Sequence, residues 1–72
     1  MSYDEFKDCL RSAQLSVREL AALLDMQPNS ITNYRAKGTV PRHLAVIATL
    51  LATLAAQNID ARQLLKHTPD KQ

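Results

Sequence analysis

The sequence predicts an all-α domain, and its length and composition carry that prediction. The chain has 72 residues, which is room for one domain with a small core that depends on tight helix packing or on a second subunit. Hydrophobic residues make up 46% of the chain and aromatic residues only 4%. The many Ala and Leu residues suit close helix packing better than a sheet. We therefore expect one compact helical domain over residues 1–66 and a frayed tail from His67 to Gln72.

Two helix starts are readable in the first part of the chain. Helix 1 is predicted from Ser2 to Ser12, because Ser2 can cap it and apolar residues recur at helical spacing. Ser16 and Glu19 have the spacing of a capping box, in which a hydroxyl and a carboxylate satisfy free backbone amides reciprocally. This pair predicts the start of helix 2. The positions expected to face inward in helices 2 and 3 are Leu20, Ala21, Leu24, Ile31 and Tyr34.

Helix 3 is bounded by a proline and by the single glycine. Gln27 can act as its cap, and Pro28 suits the first helical position because its missing amide proton costs nothing there. The helix is predicted to run to Ala36 and to end at Gly38.

Pro41 and Asp60 mark the last two helices. Helix 4 is predicted to open at Pro41 and to run to about Gln57, and Asp60 caps a short helix 5 that ends at Leu65. The apolar run from Leu44 to Ala56 is too short and too interrupted by threonine to span a bilayer.

Helices 2 and 3 with the short turn between them have the geometry of a helix-turn-helix, whose second helix is free to enter a major groove. With Ile31 and Tyr34 pointing inward, a wheel of about 100° per residue puts Asn29 and Asn33 on the opposite side, flanked by Ser30 and Thr32. Asparagine can pair bidentately with adenine edges, and threonine can offer a hydroxyl or a methyl contact. Asn29 and Asn33 are therefore the leading candidates for reading bases.

Charge is distributed unevenly along the chain, although the formal net charge is only +2. Acids outnumber bases in residues 1–25, whereas residues 26–59 contain no acid and hold a cluster of bases. A basic face beside a candidate reading helix predicts a polyanionic partner. Phosphate contacts are expected from backbone amides near Ser16 and Val17 and from side chains at the rim. The candidate side chains are Arg18, Gln27, Arg35, Lys37, Arg42 and His43.

Three segments together resemble a known family. Ser16-x-x-Glu19-Leu20-Ala21-x-Leu23-Leu24, Ser30-Ile31-Thr32-x-Tyr34 and Gly38-x-x-Pro41 are similar to the helix-turn-helix of the lambda Cro and cI repressors, the XRE family. The resemblance implies a five-helix lambda-repressor-like domain that binds a palindromic operator as a homodimer. It implies groove contacts at Pro28, Asn29, Thr32 and Asn33, and backbone contacts at Val17, Arg35, Lys37 and Arg42.

The chain departs from the family pattern at three positions. Val17 stands where the family often has Gln, which leaves only an amide contact with a phosphate. Asp25 stands where the turn often has Gly, and because Asp adopts a left-handed conformation less easily we expect a variant turn. Arg35 stands where the family often has Glu, which makes that corner more basic.

Helix 4 carries more apolar surface than a monomer of this size needs. We interpret the surplus as a homodimer interface, the alternative being that helix 1 or helix 5 covers it. The residues assigned to this interface are Val46, Leu50, Leu54, Ile59 and Leu65.

Other function classes have little support in the sequence. Cys9 is a single thiol, and His43 and His67 have no second Cys or His at metal-binding spacing, so we expect no metal and no cofactor. Phosphate loops and catalytic triads are absent, and an enzyme is not expected. We expect a cytoplasmic, sequence-specific double-stranded DNA-binding regulator, of the repressor kind and without a small-molecule effector. The alternative is an interaction module, such as an antitoxin or assembly factor, whose helix 4 and 5 surface binds a partner protein.

Overall fold

A computed structural model of the chain describes residues 1–66, and these residues are helical with one isolated bridge between two short extended segments. The prediction of an all-α structure is confirmed. The helices are α1 (Tyr3–Ser12), α2 (Val17–Leu23), α3 (Pro28–Thr32), α4 (Tyr34–Lys37), α5 (Arg42–Ala56) and α6 (Ala61–Leu65). The tail predicted to fray, from His67 to Gln72, lies outside the described residues. Within residues 1–66 no helix has both the length and the apolar character needed to cross a membrane.

Both of the first two helices begin with a complete capping box. The Ser16 hydroxyl accepts the Glu19 N–H at 3.0 Å, and a Glu19 carboxylate oxygen accepts the Ser16 N–H at 2.9 Å. Ser2 and Glu5 repeat this arrangement at the start of α1, with the same two distances. The hydrogen bond from the serine N–H stabilises the carboxylate and lowers the pKa of both glutamates. The predicted start of helix 2 is thus confirmed.

Three helices end in the same backbone motif, each with a residue other than glycine in the left-handed conformation. Gln14 has φ +59°, Asp25 +57° and Asn58 +62°. At the end of α2 the Met26 N–H bonds to the Ala21 carbonyl at 2.8 Å and the Asp25 N–H to the Ala22 carbonyl at 3.3 Å. These two bonds define a Schellman motif. The expectation of a variant turn at Asp25 is therefore wrong, because a short polar side chain is tolerated in this conformation.

The predicted helix 3 is present as two segments, α3 and α4, which meet at Asn33. Asn33 keeps helical backbone angles, φ −60° and ψ −25°, and its N–H bonds to the Asn29 carbonyl at 3.0 Å. The chain therefore continues along one helical path to Gly38, which has φ +79°. We call α3, Asn33 and α4 together the recognition segment. Six assigned helices in residues 1–66 thus correspond to the five predicted ones.

The later boundaries differ from the prediction by about one residue. Pro41 is the N-terminal cap of α5 and not its first helical residue, since its ψ of 157° is extended. Asp60 caps α6 by accepting the Arg62 N–H at 2.9 Å, as the sequence predicts.

The core forms where α1 packs on α5 and α2 packs on α3. Five side chains in it are essentially inaccessible to solvent, and burial of each contributes roughly 1.5 to 3 kcal/mol. They are Phe6, Leu10, Leu20, Ile31 and Leu44. Leu24 and Tyr34, both predicted to point inward, are only half-buried and lie at the margin of this core.

The first three residues are joined to the loop that follows α4. The Tyr3 N–H bonds to the Gly38 carbonyl at 2.9 Å, and the Val40 N–H bonds to the Met1 carbonyl at 3.2 Å. Between these bonds Ser2 and Thr39 form an isolated antiparallel bridge. We call this pairing of residues 1–3 with 38–40 the N-terminal clasp. It ties the end of the recognition segment to the start of α1.

Candidate nucleic-acid interface

The recognition segment is held to the rest of the molecule through one fully buried residue. Ile31 of α3 and Ala21 of α2 are both completely buried where these helices pack together. Alanine at this position leaves space for a close approach of the two helices. The opposite side of α3 is thereby turned away from the core.

The side chains on that opposite side are polar, uncharged and exposed. Asn29, Ser30, Thr32 and Asn33 are all exposed, and we call these four residues the polar face. Among residues 1–66 the side-chain amide groups of Asn29 and Asn33 have no hydrogen-bond partner. The Thr32 hydroxyl donates to the Asn29 carbonyl at 3.4 Å, which leaves its oxygen able to accept. Pro28, the remaining candidate for base contact, is half-buried at the first position of α3.

The Ser16 amide, expected to contact a phosphate, is already hydrogen-bonded within the chain. This N–H already donates to the Glu19 carboxylate, and the Ser16 hydroxyl accepts from the Glu19 N–H. The amides of Val17 and Arg18 have no partner within the described part of the chain. The Val17 side chain is buried in the core, as is expected for a residue that contributes only its backbone.

The predicted phosphate-binding side chains are all exposed. They are Arg18, Gln27, Arg35, Lys37, Arg42 and His43. Over residues 1–66 the ion pairs are confined to Arg11–Asp8, Arg62–Glu19 and Arg62–Asp60, so none of the four predicted cationic side chains is paired there. Lys37 lies over the Tyr34 ring, with its Nζ atom 5.7 Å from the ring centroid. Gln27 is the N-cap of α3 but makes no side-chain capping bond.

Arg35 differs from the other cations because it faces α1. It lines a surface groove of about 490 Å³ together with Asp4, Lys7 and Arg11 of α1 and with the clasp residues Ser2, Tyr3 and Gly38. Sequence reasoning missed Lys7 and Arg11, since acids outnumber bases in that part of the chain. Their spacing of four residues on a helix was the available signal, because it places them on one face.

The surface assigned to a homodimer interface is largely unburied within residues 1–66. Leu50 is 58% exposed, Val46 and Ile59 are each 41% exposed, and Leu65 is 36% exposed. Leu54 differs, because it is half-buried and packs against the core. Val46 and Leu50 also line a shallow pocket of about 360 Å³ with Met1, Arg42 and two small α5 residues. Neither α1 nor α6 thus fully covers the apolar side of α5.

An ion pair that the sequence analysis did not anticipate links α6 to the start of α2. Arg62 Nη1 lies 2.8 Å from Glu19 Oε2, although the two residues are 43 positions apart. Both side chains are nearly half exposed, so solvent screening makes this ion pair a weak one. It joins α6 to the N-terminal end of α2.

Metal-binding chemistry is not visible in the described residues. Within positions 1–66 no group of three or more His, Cys, Asp or Glu side chains is close enough to hold a metal ion. Cys9 is a half-buried free thiol.

Comparisons of the chain with protein-family models, with curated proteins and with solved structures gave no match.

Proposed function

We propose that this protein is a sequence-specific double-stranded DNA-binding regulator of the repressor kind, with a lambda-repressor-like arrangement of five helices. The recognition segment enters the major groove and presents the polar face to base edges. One observation carries the proposal: four exposed polar side chains without charge lie on a short helix whose other side is anchored by the fully buried Ile31. If this helix were merely solvated, there would be no reason for its exposed face to lack charged side chains, because the surrounding region carries several bases.

The two asparagines are the residues that distinguish bases. An unpartnered side-chain amide can pair with adenine in the bidentate geometry that the major groove permits, donating from its NH2 group to the ring nitrogen N7 and accepting at its oxygen from the exocyclic N6 amine. Each such pair discriminates against a wrong base by roughly 1 to 3 kcal/mol. Thr32 adds a hydroxyl acceptor or a methyl contact beside them.

Sequence-independent attraction comes from the cations around this face. Arg18, Lys37 and Arg42 are exposed and have no ion-pair partner within residues 1–66. They bind phosphates, fix the orientation of the recognition segment, and make the affinity fall as salt rises.

The regulator acts as a homodimer through the side of α5 that carries Val46 and Leu50. A two-fold interface uses the same patch on both subunits, and it sets the two recognition segments on half-sites about one helical turn of DNA apart, or a multiple of it. Because Arg42 lines the same shallow pocket as Val46 and Leu50, one phosphate contact lies at the edge of this interface.

Selection of bound fragments from a random duplex pool tests the proposal. We expect an enriched, two-fold symmetric sequence containing adenine within each half-site. Asn29→Ala and Asn33→Ala should each reduce the preference for that sequence about 5-fold to 150-fold. Gln63→Ala is the matched control, because Gln63 is an exposed amide on α6. Recovery of no preferred sequence by the unmodified protein contradicts the proposal, as does unchanged preference in both asparagine variants.

The second candidate function is a protein-interaction module, such as an antitoxin or assembly factor. It is favoured by the exposed leucines on α5 and α6, since Leu50 is 58% and Leu64 51% exposed. Salt-dependent binding to mixed genomic fragments separates the two functions. An interaction module leaves duplex DNA unbound at about 0.1 M salt, whereas the DNA-binding regulator does not.

A further inference from the structure

The groove between α1 and α4 has an unusual balance of charge for a surface crevice. Three cations line it, Lys7, Arg11 and Arg35, against the single carboxylate of Asp4. Among residues 1–66 Lys7 and Arg35 have no ion-pair partner. Arg11 pairs with Asp8 at 2.7 Å, but both side chains are at least 70% exposed, so this pair is weak and leaves other guanidinium donors free.

The groove also lies at a defined position relative to the recognition segment. Arg35 and Lys37 are two residues apart in α4, which turns them about 160° from each other around the helix axis. They therefore leave the helix on opposite sides, Lys37 nearer the polar face and Arg35 nearer the buried side that carries Ile31. Lys37 extends over Tyr34 on one flank, and Arg35 joins the α1 cations on the other.

A helix in a major groove has one phosphate backbone on each side, because the groove is about 12 Å wide and is bounded by both strands. A recognition helix with cations on only one flank meets only one strand. Lys7 and Arg11 lie beside Arg35, so α1 supplies the cations on the second side of the recognition segment. The N-terminal clasp holds the two helices in this relation, since Tyr3 and Gly38 both line the groove and are hydrogen-bonded to each other.

We propose that the groove formed by Lys7, Arg11 and Arg35 binds a phosphate group, and that the phosphate belongs to the second strand of the bound duplex. That the phosphate comes from duplex DNA rests on the proposed function. That the groove can bind a phosphate group depends only on its three cations. Lysine supplies a point charge, and the two guanidinium groups supply directional donors to phosphate oxygens. A free phosphate-bearing ligand is the other source with the same chemistry.

The first arm of the test measures duplex affinity as a function of salt for Lys7→Gln and Arg35→Gln. Lys66→Gln is the charge-matched control, because Lys66 is an exposed cation at the end of α6. We expect each groove variant to bind the selected duplex about three- to tenfold more weakly than the control variant. We also expect the slope of log affinity against log salt to fall by about 0.9, with base preference unchanged.

The second arm titrates inorganic phosphate into the unmodified protein and into Lys7→Gln, following backbone amide resonances. We expect millimolar phosphate to shift the signals of Lys7, Arg11 and Arg35 in the unmodified protein, with smaller shifts in the variant. This arm tests phosphate binding by the groove even if the unmodified protein binds no duplex. Failure to bind duplex would by itself overturn the proposed function.

The outcomes separate the possibilities. Loss of duplex affinity in both groove variants, together with the phosphate shifts, supports the proposal. Phosphate shifts without loss of duplex affinity relative to Lys66→Gln overturn the duplex strand as the source and leave a free phosphate-bearing ligand. Absence of both effects in variants whose circular dichroism and thermal unfolding match the unmodified protein overturns the site.

Discussion

Replacing Leu50 with alanine should weaken self-association without disturbing the fold. Leu50 is 58% exposed in the single chain, so its outer half contributes nothing to the core. Full burial of a leucine contributes about 1.5 to 3 kcal/mol, and burial of this exposed fraction in an interface therefore contributes about 0.9 to 1.7 kcal/mol. A two-fold interface contains the residue twice. The substitution should then cost about 1.8 to 3.4 kcal/mol of dimer stability, which raises the dimer Kd about 20-fold to 300-fold.

Equilibrium sedimentation over a range of protein concentrations measures this change directly. Leu23→Ala is the matched control, because Leu23 is 36% exposed on α2, outside the surface assigned to the interface. Thermal unfolding should be similar for the two variants at concentrations where both are monomeric. The reasoning is refuted if the unmodified protein remains monomeric at high micromolar concentration, or if Leu50→Ala and Leu23→Ala have the same Kd.

Three further predictions concern stability. Phe6→Ala should lower the free energy of unfolding in urea by about 3 to 5 kcal/mol, because Phe6 is fully buried; a loss below 1 kcal/mol would contradict the described core. Gln14→Gly should raise that free energy and Gly38→Ala should lower it, each by about 1 kcal/mol, because both positions have positive φ and nothing lies within 4 Å of an added Gly38 Cβ. Changes of the same sign would refute the backbone assignment. The pKa of Glu19 is lowered in the folded chain, so its stabilisation is present above the ordinary carboxyl pKa of 4.5 and is lost as pH falls through the lower folded value. Glu19→Gln should therefore flatten the dependence of urea unfolding on pH below 4.5, and an unchanged dependence would exclude Glu19 as its source.

Local features of the fold could be predicted because their causes lie within four residues. The Ser16–Glu19 capping box, Pro28 at the start of α3, and Asp60 as the cap of α6 all depend on short-range backbone hydrogen bonds and on fixed proline geometry. Gly38 ends the recognition segment for the same reason. The exposure of the polar face also follows from the helical period, because Ile31 on the other side of the helix is buried.

The failures have non-local or competing causes. The Ser16 amide was expected to be free, but the same capping box that identifies the helix start also consumes its N–H. Asp25 has a conformational cost of its own at positive φ, but the two carbonyls at the end of α2 are satisfied only if it adopts that conformation. The groove that joins Arg35 to Lys7 depends on how α1 packs, and no sequence period reports that packing.

The N-terminal clasp has a consequence for the order in which the molecule forms and opens. Its hydrogen bonds connect Met1 and Tyr3 to residues almost forty positions away, so they form at little entropic cost only once the packing of α1 on α5 has closed that loop. We therefore expect the clasp to assemble last during folding and to release first in partial unfolding. Hydrogen exchange should then be faster at the amides of Tyr3 and Val40 than at those in the middle of α5. The segment from Lys37 to Arg42 should loosen together with the clasp. The candidate phosphate contacts on both sides of the recognition segment therefore depend on the same few hydrogen bonds.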